Sequence, residues 1–250
     1  MVRISEENIC EGSPEWFTKM AQTESKIVLQ EHMESLREAF MKRFSPDKLA
    51  RMSGEELLEN VFGNGEYTML YLLTIDNDEY RHFGAPGKYT NLWIVYNDKK
   101  NGWSYHRGKK TTRLTYSEAV MKAKEIRDGL LMGINAIDET GTFDSIADYE
   151  TLDRKLNSFF FSRYAWVMKY YQMVYPKVFP GMYADDTINR AMEILGLERH
   201  GRKKILNAGE IALFIKKCGI YNIVFNKIYS ERWTWTEKRL PSEFALKNVK

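Results

Sequence analysis

TYSEAVMKAKEIRDGLLMGINAID, residues 115–138, is the stretch on which the fold turns. Thr115 followed by Glu118 is a capping box: the hydroxyl accepts from the amide of the third helical residue, and the carboxylate accepts from the amide of the cap itself. Ala119, Ala123, Ile126, Leu130, Ile134 and Ile137 then recur on one helical face. Leu114, just before the cap, staples the first turn, and the pattern ends near Asp138, ahead of Gly141. A helix this long with one apolar face needs layers to lie against. The flanking sequence supplies a sheet before it and helices after it.

Upstream, Ser13-Pro14-Glu15 starts a helix that the pattern carries to about Phe44, and Ser45-Pro46-Asp47 restarts one by the same logic. Ser53 with Glu56 forms another capping box, and Gly63-Asn64-Gly65 closes this helical region. Residues 67–75 (YTMLYLLTI) then read as a strand, closed by Asp76-Asn77-Asp78. Residues 89–96 (YTNLWIVY) read as a second strand and 103–106 as a third, joined through a Lys99-Lys100-Asn101-Gly102 turn. The expectation is an antiparallel sheet over residues 67–106.

Downstream the chain reads as helices over 148–158, 162–173, 185–195 and 206–218, the last stopped by Gly219. A proline-broken loop covers 175–184, and a final strand is expected over 221–228. The stretch RYAWVMKYYQMVYPKVFP (163–180) is dense in aromatic residues and lacks acids. Trp166, Tyr170, Met173 and Val174 fall on one helical stripe, which favours core over ligand contact. The fold class expected is therefore α+β: a small antiparallel sheet packed on a long helix, followed by a mainly helical half. Residues 1–145 and 146–230 form the two parts of one compact unit, with 231–250 as a tail or linker.

A hydrophobic fraction of 44% with 28% charged residues is a soluble globular balance, and 250 residues suffice for a sizeable core. Cys10 and Cys218 lie far apart without CxxC spacing, which points to a reducing cytoplasm. The first residues carry no signal-like apolar run, and no run is long enough to span a bilayer, so a cytoplasmic protein without a membrane partner is expected.

The net charge of +3 is unevenly spread. Residues 1–60 hold 12 acids and 8 bases, a net of −4, whereas residues 99–113 (KKNGWSYHRGKKTTR) hold 6 bases and no acid. Residues 199–204 (RHGRKK) add 4 bases. Clustered cations point to a polyanion partner.

Catalytic signatures are absent from the sequence. Gly108-Lys109-Lys110-Thr111 resembles the end of a phosphate loop, but no glycine stands at the leading position of that motif. His32, His82, His106 and His200 have neither HxH nor HxxxH spacing, and no cysteine lies beside them, so no metal or cofactor is expected. No GxSxG elbow occurs, and the acids of 76–79 lack the ExK partner of a nuclease strand pair. The loop 83–88 (FGAPGK) is different: its glycines allow close backbone approach, and Arg81, His82 and Lys88 suit a phosphate, although a plain connection between two strands is the favoured reading.

The basic stretch interleaves Trp103, Tyr105 and His106 with cations, a pattern suited to nucleic acid: rings stack on bases and cations meet phosphates. Lys99, Lys100, Arg107, Lys109, Lys110 and Arg113 are the candidate phosphate contacts, with Arg202, Lys203 and Lys204 as a second patch. Trp93, Tyr96 and Trp103 are the rings available to a flipped base.

Several stretches in order — 44–63, 71–103, 117–131, 164–186 and 209–229 — resemble the N-terminal region that precedes the ATPase module of McrB-like restriction subunits and related AAA+ proteins. Pro86-Gly87 stands where that family's loop carries Gly-Gly, and the chain has no Walker motif. The resemblance implies a non-catalytic specificity module of a restriction or anti-phage defence system. Its implied partners are DNA, including methylated or otherwise modified DNA, an AAA+ ATPase module and a nuclease subunit. Two other classes stay open: a protein-interaction domain that docks an AAA+ ATPase or another partner, which predicts an exposed apolar patch, and a nuclease-like enzyme whose site assembles only in space.

Overall fold

The computed structural model describes residues 9–63, 65–74, 79–84, 92–97, 102–157 and 164–233, with only the backbone of 92, 93 and 97. The fold is α+β and mainly helical, with one small antiparallel sheet among the described residues.

Helix α1 (Pro14–Ala21) opens under a Ser13 cap whose hydroxyl accepts from the Trp16 amide. The chain then breaks at Gln22 and Thr23, Thr23 being extended, before α2 (Glu24–Phe44). The single helix expected from 14 to 44 is thus two. The reason lies in packing: Phe17 joins a cluster with residues near the C-terminus, whereas α2 buries Met33, Phe40 and Phe44 in the main core. One straight helix cannot serve both.

Helices α3 (Pro46–Arg51) and α4 (Gly54–Asn60) follow, and the Ser53–Glu56 capping box is formed in both directions. Residues 69–74, expected as strand, instead form α5 (Met69–Thr74). Met69, Leu72 and Leu73 are buried at i, i+3 and i+4, and the Tyr71 amide donates to the Thr68 hydroxyl. Short apolar runs carry no period that separates a buried helix from a strand. A 3-10 turn (Tyr80–Phe83) comes next.

The sheet is β1 (Leu92–Asn97), β2 (Gly102–Arg107) and β3 (Lys110–Leu114), antiparallel in the order β1-β2-β3. It therefore lies C-terminal to the expected span: 67–74 contributes no strand, and β3 comes from the basic stretch, beyond the expected sheet. Residues 89–91 and the expected turn at 99–101 lie outside the described residues. Pairing places Ile94, Tyr96, Trp103, Tyr105 and Leu114 on one face, packed against α6 (Tyr116–Asp138).

The capping box of α6 forms as expected, and its buried face comprises Ala119, Ala123, Ile126, Gly129, Leu130, Gly133, Ile134, Ala136 and Ile137. Hydrogen bonds from the Thr115 amide and hydroxyl hold the Glu118 carboxyl below the usual carboxylate range. Thr115→Ala should cost about 1 kcal/mol, read as a lower urea midpoint at unchanged slope.

The remaining helices are α7 (Ile146–Asn157), α8 (Ala165–Val174), α9 (Asp185–Leu195), α10 (Lys204–Cys218) and α11 (Asn222–Arg232). The strand expected over 221–228 is helix α11; Ile223, Val224, Phe225, Ile228 and Tyr229 are buried on it. Asn222 and Asn226 donate to the carbonyls of Pro176, Phe179 and Pro180, so α11 anchors the proline loop.

The aromatic stretch is core. Trp166, Tyr170, Tyr171 and Met173 have no exposed surface. Buried tyrosines tie down element ends: Tyr170 Oη donates to Phe44 O at 3.0 Å, Tyr149 Oη to Val178 O at 2.9 Å and Tyr183 Oη to Phe83 O at 2.5 Å. The larger core cluster runs from Met33 to Ile223 across the 145/146 division, and the smaller joins Phe17 to α9, α10 and α11. Of the expected tail, Trp233 packs on Trp16 at 5.6 Å, and 234–250 lie outside the described residues.

Candidate nucleic-acid interface

The β2–β3 hairpin turns on Gly108 and Lys109, flanked by the pair Arg107 and Lys110. Gly108 has φ 59°, the left-handed region glycine enters without strain, at the first of two loop positions. Residues 107–113 (RGKKTTR) are all exposed. Four of the seven are cations and none is an acid. Lys109 and Lys110 meet no carboxylate among the described residues.

Register fixes where these charges point. Arg107 and Lys110 share the face of Trp103 and Tyr105 but lie beyond them at the tip, while Arg113 opposes Ser104 on the other face. The tip therefore carries Arg107, Lys109 and Lys110, while Arg113 lies three rungs down the ribbon on the opposite face. One rung below the tip pair, His106 Nδ1 and Thr111 Oγ1 meet across the strands at 3.1 Å. The Lys122 ammonium sits 5.1 Å from the Tyr105 ring centroid and pairs with Glu125, fixing the ribbon's base to α6. Burial, then Glu125, raises the Tyr105 hydroxyl above its ordinary value.

The rings proposed for a base pocket divide. Tyr96 and Trp103 pack edge to face with centroids 5.3 Å apart and an interplanar angle of 63°. A base held between them would need parallel, more widely separated rings, so the pair forms no slot. Trp103 also packs on the core. The Trp93 side chain, Lys99 and Lys100 lie outside the described residues.

The second patch is built differently from the hairpin. Asn207 organises its turn, accepting from the His200 amide and donating to Gly201 O. His200 pairs with Glu210 at 2.9 Å and Lys204 with Asp185 at 3.6 Å. Burial lowers the Lys204 ammonium from its ordinary value, against the pull of Asp185. Lys203 lies near enough to Asp153 to oppose the upward effect of burial on that carboxyl. Arg202 and Lys203 are exposed. These cations sit at the N-terminus of α10 and alongside α7 and α9, whereas the hairpin leans on α6. Of the three expected phosphate contacts here, Lys204 is the one that already faces a carboxylate.

Among the described residues, no three His, Cys, Asp or Glu side chains converge to hold a metal, and no helix is long and apolar enough to cross a membrane. Burial pushes the Cys218 thiol up to about 12, far from a nucleophile's range.

Comparison with protein-family models, curated proteins and solved structures gives no match for this chain.

Proposed function

We propose that this chain is a non-catalytic, cytoplasmic DNA-binding module, and that the β2–β3 hairpin is its contact. The observation that carries this reading is the exposed tip at 107–113, with four cations, no acid, and two lysines unmatched by carboxylates. The major groove admits a two-stranded ribbon, and phosphates line both of its walls. A ribbon with Arg107 and Lys110 at its tip on one face and Arg113 lower down on the other presents cations to both walls, where a one-sided basic face would meet one wall. Arg202 and Lys203 add an exposed second contact. The resemblance to McrB-like N-terminal regions supports the same reading and extends it to restriction or defence, to an AAA+ ATPase with a nuclease partner, and to modified bases.

The test is a gel-shift panel with unmodified, methylated and hydroxymethylated duplexes and single strands at low and moderate salt. Duplex binding that weakens steeply with salt is expected, with a preference among the duplexes identifying the modification. Failure to shift any nucleic acid at low salt would remove the proposal.

A further inference from the structure

A cleft of about 570 Å³ opens between the 3-10 turn, the 181–187 segment and α11. Its walls bring together three distant stretches: Arg81, His82 and Gly84; Gly181 to Ala184 with Thr187; and Ile223, Asn226, Lys227, Tyr229 and Ser230. The turn is firmly held. Lys169 Nζ donates to Tyr80 O at 2.8 Å and Tyr183 Oη to Phe83 O. Gly84, at φ 97°, lies so close to Gly181 that a Cβ there would stand 2.2 Å from the Gly181 carbonyl oxygen.

Two features point to a ligand. The first is charge. Arg81, His82 and Lys227 line the cleft, and neither Arg81 nor His82 meets a carboxylate among the described residues. Burial, and then the charges of Lys227, His32 and Arg81, keep the His82 imidazole below its ordinary value. The acids nearby are engaged or turned out: Glu231 is shared by Lys26 at 2.5 Å and Lys227 at 3.5 Å, Asp185 goes to Lys204, and Asp186 is exposed. The second is unmet hydrogen bonding. Gln172 Nε2 and Asn226 Oδ1 are buried without partners, and both amides flank Gly181, where a Cβ would come within 2.6 Å of Asn226 Nδ2 and 2.7 Å of Gln172 Nε2. Of the two, only Asn226 lines the cleft; its open oxygen is covered, so a ligand meets it by turning the side chain, while Gln172 lies behind.

We propose that this cleft binds a small phosphate-bearing ligand of mononucleotide size, with Arg81, His82 and Lys227 on the phosphate and Asn226 on the remainder. The volume lies within the range of small-molecule sites, roughly 300–1,000 Å³. Met182 and Ile223 give the wall an apolar portion, and Thr187 and Ser230 add hydroxyls. This site shares no residue with the hairpin and does not depend on DNA binding.

The test uses the full chain, titrated with inorganic phosphate, adenosine monophosphate and adenosine, read by calorimetry and by the His82 ring signals, which His82→Gln assigns. The monophosphate and phosphate should both move the His82 signals and raise its titration midpoint, because an anion favours the imidazolium. Adenosine should bind about tenfold more weakly or less. Arg81→Ala with Lys227→Ala, both on accessible side chains, should weaken the monophosphate about tenfold or more, while Lys109→Ala with Lys110→Ala leaves it unchanged. His82 signals unmoved at millimolar ligand would overturn the proposal. So would equal affinity for adenosine, or a loss that follows the hairpin variant.

Discussion

Replacing Lys109 and Lys110 together with alanine is expected to lower the slope of log K against log salt by about 1.8 and to leave the unfolding midpoint unchanged. Each ammonium that meets a phosphate releases condensed counterions and contributes about 0.9 to that slope. Counting the hairpin alone, with one phosphate each on Arg107, Lys109, Lys110 and Arg113, a fourfold rise in salt weakens the wild-type contact about 150-fold and the variant's about 12-fold. Both lysines are exposed and meet no carboxylate among the described residues, so their loss removes no described contact from the fold. Filter binding across a salt series reads the slope directly. An unaltered slope would exclude the hairpin as the contact.

Gly133→Ala is expected to lower stability by about 1–2 kcal/mol. A Cβ at Gly133 would stand 1.9 Å from Tyr171 Oη and 2.5 Å from Cζ, where α6 meets α8. Tyr171 has no exposed surface, and its ring lies against Tyr170 and Phe179 with centroids 6.2 Å away from each. The ring has nowhere to swing. Alanine's better helix propensity recovers about 1 kcal/mol, against an overpacking cost of about 1–3 kcal/mol or more in a close-packed core. Urea unfolding checks this, and adding Tyr171→Leu should restore part of the loss. A neutral Gly133→Ala would mean the two helices stand further apart than described.

What the sequence made legible was local. The box at Thr115 and Glu118 and the spacing from Ala119 to Ile137 specify α6 from its own residues, and the structure follows them from Tyr116 to Asp138. The runs at 69–74 and 222–228 were misread because six or seven apolar-rich residues fit either period, and tertiary burial decided for helix. Strand β3 was overlooked because KTTR offers no apolar alternation; pairing with β2 makes it a strand. The cations of the hairpin could be seen in the sequence, but their division between two faces follows only from register. The match of Lys204 to Asp185 was hidden because the two are brought together by packing of α9 on α10. The cleft was half visible: Arg81, His82 and the glycine loop drew notice, while Asn226 and Lys227 lay in a segment taken for a strand, whose alternation would have sent them to opposite sides.

Trp16 and Trp233 touch, and Arg232 pairs with Glu11 beside them. The backbone thus enters and leaves the folded body at neighbouring points. The same proximity lets a short linker join the two ends and the chain be reopened elsewhere as a circular permutant.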